Sequence, residues 1–152
     1  MKKILIIIVM VLSCSMIFAQ DALFKKYSNT NGVSTVYISK ALLGMMPKMN
    51  AGNKDVSKIA GKLDRLQVLS CERPSLVPSI KNNAIAYYNK YKYVEMMNLN
   101  EDGEITLIYG KSHGHGKNEF VLLSIEKDEI NIVNIYGNVT LKDIKQIANQ
   151  RN

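Results

Sequence analysis

Both histidines of the 152-residue chain lie in one short run, Lys111-Ser112-His113-Gly114-His115-Gly116-Lys117. Residues two apart on extended backbone share a face, and the glycines add freedom. His113 and His115 are therefore candidate ligands for nickel, copper or zinc. A zinc site needs three or four ligands, however, and only Glu119 adds a carboxylate nearby, so the same run also reads as a hairpin loop. Met45, Met46 and Met49, with Met96 and Met97, are a softer set. Thioethers can hold Cu(I), fill a core or meet a partner surface. The spacing Asn98-Leu99-Asn100-Glu101-Asp102-Gly103 matches the first half of a calcium loop. The position that should carry a bidentate glutamate is Tyr109, which leaves a hairpin turn as the reading.

Charge gives a second candidate. From Asp55 the apolar residues Val56, Ile59, Ala60, Leu63 and Leu66 recur at helical spacing. Lys54, Lys58, Lys62 and Arg65 fall within about 80° of one another on the opposite side of that wheel. The pattern predicts an amphipathic helix whose basic face is either solvated or meets an acidic envelope protein or an anionic membrane surface. Tyr87, Tyr88, Tyr91 and Tyr93, interleaved with Lys90 and Lys92, are either core packing or an interface patch.

Motifs for catalysis are missing. The chain has no Gly-x-Ser-x-Gly elbow, phosphate-binding glycine loop or His-Glu-x-x-His. Cys71 with His113 or His115 is the only conventional nucleophile and base pair, and Cys71 sits in the apolar run Leu66–Cys71, where a buried packing role is expected. No cofactor is expected, nor is nucleic acid as a partner, since no recognition motif for it is present.

The elements that must position these residues follow from periodicity. Ala22–Tyr27 reads as a short helix and Val33–Ile38 as a β-branched strand. Ser39 caps a second short helix that Pro47 closes. A strand is expected at Leu66–Cys71, then a helix capped by Ser79 and carrying Ile80, Ala84, Tyr87, Tyr88 and Tyr91. Four strands follow as a meander: Tyr93–Leu99, Glu104–Tyr109, Glu119–Glu126 and Glu129–Tyr136. The third, apolar on both faces at Phe120–Leu123, belongs at the centre of the sheet. Thr140 and Asp143 form a capping box for a closing helix. The fold class is α+β, a largely antiparallel sheet with a C-terminal strand meander and helices packed mainly on one face.

The first nineteen residues read differently. Lys2 and Lys3 precede the apolar run Ile4–Leu12 and a mixed stretch ending at Ala19. This is the layout of a secretory signal peptide. The expectation is a leader over 1–19 and a single domain over 20–152, exported and periplasmic or envelope-associated. Val11-Leu12-Ser13-Cys14 partly matches a lipobox, so an anchor through Cys14 is the alternative. Charge is lopsided: residues 21–92 carry twelve basic and four acidic side chains, residues 93–152 six and nine. That asymmetry fits either an acidic partner or simple solubility.

Three stretches carry a family resemblance: Gly32–Lys40 followed by Met45-Met46-Pro47, Lys62–Leu69, and Tyr136-Gly137-Asn138-Val139 with its helix. They resemble the bacterial domain-of-unknown-function family 4252, found mainly in exported proteins of Bacteroidota. The resemblance implies an exported protein with no assigned activity, and it carries over no catalytic or binding residues. The expected function is a non-enzymatic envelope module that binds a protein or the membrane surface through the basic face. The alternative is a small-ligand or metal carrier that uses His113 and His115.

Overall fold

The computed structural model describes residues 19–46, 48–52 and 54–150. The leader up to residue 18, the lipobox cysteine and the Pro47 stop lie outside the described residues. Helix α1 spans Ala19–Tyr27, β1 Val33–Ser39, α2 Lys40–Leu43, β2 Asn50–Ala51 and β3 Lys54–Asp55. A 3-10 turn at Ala60–Lys62 leads into β4, Leu63–Cys71. Helix α3 covers Val77–Lys90, and β5 Val94–Glu101, β6 Glu104–Gly114, β7 Lys117–Ile125 and β8 Ile130–Gly137 form the meander. Helix α4, Leu141–Ala148, closes the chain.

Six strands make one sheet in the order β1-β4-β8-β7-β6-β5, and every pairing is antiparallel. The apolar-both-faces segment Phe120–Leu123 lies in β7, one of the two central strands, as its composition required. Alternation splits the sheet residues between two cores. On the first face Leu69, Cys71, Leu107, Tyr109, Val121, Leu123, Ile130 and Ile132 meet Leu23, Phe24 and Tyr27 of α1 and Val77, Ile80, Ala84 and Tyr88 of α3. On the second, Leu66, Val68, Ile108, Phe120, Leu122, Val133 and Ile135 meet Ile144 and Ile147 of α4, with Leu43, Met49, Val56 and Ile59. The two longer helices thus share one face, and α4 with shorter pieces covers the other.

Local signals explain most boundaries. Ser39 Oγ accepts from the Leu42 amide and starts α2. Thr140 and Asp143 satisfy each other's backbone amides in a complete capping box. Asp102 and Gly103 have φ of 52° and 84°, the two left-handed residues that a tight hairpin between β5 and β6 requires. Helix α3 begins at Val77 with Pro78 in its first turn, ahead of the expected Ser79 cap.

The amphipathic helix expected from Asp55 is not formed. Apart from the single 3-10 turn, the segment is a two-residue strand, a turn and then β4. Val56 and Ile59 do bury, but from turns, and Leu63–Cys71 pairs with two strands at once. Ladder bonds on both sides, plus burial on both faces, outweigh the weak helical preference of a segment interrupted by Gly61. The basic residues therefore do not form a helical face.

One irregularity decides where a charge points. Leu63 pairs with Gly137 and Arg65 with Tyr136, so Asp64 is an extra residue in β4. This bulge sends Leu63 to the second core and Arg65 to the first face. Gly137 makes it possible: a Cβ there would stand 2.2 Å from the Lys62 carbonyl oxygen. The Asn138 amide donates to that same carbonyl at 2.9 Å.

Candidate functional site

The register sets a row of polar residues across the first face, beyond the end of α3. Arg65, Tyr136, Glu119 and Lys111 lie side by side on β4, β8, β7 and β6. The next row is Tyr37, Gln67, Asn134, Val121, Tyr109 and Glu95. On β7, Glu119 has the same parity as Val121, Leu123 and Ile125, so it takes a core position.

Glu119 is 1% exposed. Its Oε1 accepts from Arg65 Nη2 at 3.3 Å and Asn134 Nδ2 at 2.9 Å. Its Oε2 accepts from Tyr93 Oη at 3.0 Å and pairs with His113 Nε2 at 2.7 Å. An ionised carboxylate only accepts, so His113 presents an Nε2–H to it. A buried charge is tolerated when it is paired and its lone pairs are filled, and here four side chains do both. The Arg65 guanidinium lies 5.1 Å from the Tyr136 ring centroid, and the His113 ring stands edge-on to Tyr136 at 5.3 Å. Tyr136 is thus boxed by two cationic or polar groups that are both tied to Glu119. Arg65 keeps 23% of its side-chain surface exposed and His113 34%, so the array reaches solvent at its rim.

Lys111 borders the array. Its ammonium donates to the Tyr91 carbonyl at 3.0 Å and sits 5.1 Å over the Tyr93 ring, two neutral partners. Behind it Tyr88, fully buried, packs against Tyr93 and Tyr109 at 5.1 and 5.4 Å. Burial, reinforced by the negative charge of Glu119, pushes the Tyr88 phenol well above its ordinary ionisation range. Burial and Glu95 raise Tyr109 as well. The tyrosine group is therefore mostly core, with Tyr87 and Tyr91 half-buried at its margin.

The residues singled out by sequence are dispersed. Lys54, on β3, donates to the Gln150 carbonyl at 2.6 Å. Lys58 lies in the turn before the 3-10 segment, and Lys62 at its end pairs with Asp143 at 2.8 Å. Of these four basic residues, only Arg65 enters the Glu119 network. His113 belongs to β6 instead of a loop, whereas His115 occupies the tight β6–β7 turn with φ 53°. His113 is engaged with Glu119, and among the described residues no group of three His, Cys, Asp or Glu side chains is placed to hold a metal ion. Cys71 is buried, with its Sγ 3.8 Å from the Arg73 carbonyl oxygen. It lies six ladder positions from Arg65, about 20 Å by the strand rise, and His113 is bonded to Glu119 near Arg65, so the two are not a nucleophile and base pair.

Glu119, Asn134 and Tyr136 were missed as a site because they come from different strands. The available signal was a glutamate in phase with an inward-facing apolar series.

A six-stranded antiparallel sheet with helices on both faces, carrying a fixed polar array on one of them, defines an α+β domain. The chain belongs to the domain-of-unknown-function family DUF4252, whose profile matches residues 27–147. No curated protein and no solved structure matches the chain.

Proposed function

We propose that this chain is an exported envelope module that binds an anionic partner, without catalysis, at the rim of the Glu119 array. The observation that carries the reading is the box around Tyr136. Arg65 and His113 are held there by one buried carboxylate, on rigid strands, with part of each side chain open to solvent. Pre-set donors lose little freedom on binding. Arg65 and Lys111 outnumber Glu119, so the rim favours a carboxylate, and an acidic peptide segment is the partner class that suits it.

Isothermal titration of the purified protein with a hexaglutamate peptide tests this. Binding at 20 mM salt should weaken several-fold at 300 mM and again in Lys111→Gln. Absence of binding at low salt overturns the reading. Binding instead to phosphatidylglycerol vesicles would reassign the partner to the membrane surface.

Export rests on Lys2-Lys3 followed by Ile4–Leu12. Intact-mass measurement of protein from its own cell envelope should give a chain starting at Gln20. A lipidated Cys14 or an unprocessed Met1 would refute that start.

A further inference from the structure

We infer that β1 is a homodimer edge, and that two copies of this chain join through antiparallel β1–β1 pairing into a continuous twelve-stranded sheet. Among the described residues β1 is bonded to β4 on one side only. The Val33 amide is used by the Thr30 carbonyl at 3.1 Å, so it does not point at β4. Antiparallel alternation then turns the N–H and C=O groups of Thr35 and Tyr37 to the open edge as well.

Edge strands are normally guarded by charge, proline or a bulge. β5, the opposite edge, carries Glu95 and Glu101 and has a register break between Glu95 and Met97. β1 reads Val-Ser-Thr-Val-Tyr-Ile-Ser, with no charge, no proline and an unbroken register from Val33 to Ser39. It also shows solvent Val36 at 47% and Tyr37 at 61%, and the adjoining Leu42, Met45 and Met46 are exposed.

A second copy is the occupant that this edge fits. A two-fold axis through Val36, the midpoint, sets Thr35 opposite Tyr37 of the other copy. Both present outward backbone groups, and each such pair exchanges two hydrogen bonds. Val36 meets its own equivalent, and Val33 faces Ser39. No charge opposes a like charge, because the nearest, Lys40, lies beyond the paired stretch and is bound to Asp64 at 3.1 Å. The arrangement is isologous and closes at two copies, whereas β1 on β5 is head-to-tail and leads to a ring or an open filament.

Sedimentation velocity on the purified protein at tens of micromolar tests this, with circular dichroism confirming the fold of each variant. The expected result is a species of twice the chain mass. Val36→Lys, a change at a half-exposed position, should give monomer, and so should Val36→Glu. An equimolar mixture of the two should recover the dimer, since opposite charges then meet at the axis. Val94→Lys on the other edge should leave it intact. A monomeric wild-type protein, a dimer that survives Val36→Lys, or a lysine and glutamate mixture that stays monomeric would each overturn the pairing.

Discussion

Replacing Glu119 with glutamine probes the polar array directly. Glutamine keeps one oxygen and exchanges the other for an amide donor. Either orientation aims that donor at two existing donors, Arg65 and Asn134 on one side or His113 and Tyr93 on the other. Hydrogen bonds to a charged group contribute about 1.5–3 kcal/mol each, and removing one member of a buried ion pair costs about 3–5 kcal/mol. Arg65 and His113 are 23% and 34% exposed, so both can turn partly to water, and that discounts the upper figure. The expected loss is about 2–4 kcal/mol, a fall in melting temperature of roughly 8–16 °C for a domain of this size. Urea unfolding of Glu119→Gln, Arg65→Met and the double variant measures it. The two changes should be coupled by at least about 1 kcal/mol. A single-variant loss below about 0.5 kcal/mol, or strict additivity, would refute the idea that the carboxylate organises this face.

Four further outcomes are expected. Tyr93→Phe, which loses the bond to Glu119, should cost about 1–2 kcal/mol. Tyr88→Phe should be near neutral, because that hydroxyl is buried with no hydrogen-bond partner among the described residues, and equilibrium unfolding separates the two. Gly137→Ala should destabilise by about 2–4 kcal/mol, since its Cβ would collide with backbone at Lys62 and Leu63, and a melting temperature equal to wild type would show that the close approach is not needed. Asp64 is held below its ordinary value first by its hydrogen bond from Lys117, and Asp143 by that from Lys62. A depressed folded value means stability present above about pH 4 and lost as pH falls through the folded values. Asp64→Asn with Asp143→Asn should therefore lower stability at pH 7 and flatten its acid dependence, as read from urea midpoints between pH 2 and 7.

Local chemistry was legible in the sequence where neighbours decide the outcome. The Asp102-Gly103 turn, the Ser39 cap, the Thr140 and Asp143 box and the central place of Phe120–Leu123 all follow from residues close in the chain. The segment after Asp55 misled because turns can bury Val56 and Ile59 at helical spacing without a helix. His113 read as loop because glycines flank it, yet β6 runs through to Gly114. The Glu119 array was invisible for a different reason. It depends on the bulge at Asp64 and on pairing of β4 with β8, and neither leaves a mark in any short window.

That β4–β8 pairing has a consequence for how the chain is made. The meander β5 to β8 joins strands next to each other in sequence, and it can form as each hairpin is completed. β1 and β4 can pair early with each other, but they attach to the rest of the sheet only through Ile130–Gly137. Leu66, Val68 and Leu69 thus remain without their central neighbour until nearly the whole polypeptide has been synthesised. The seam is the long-range step, so it should limit the folding rate, and a chain stopped before Ile130 would hold two half-sheets with no strand ladder to join them.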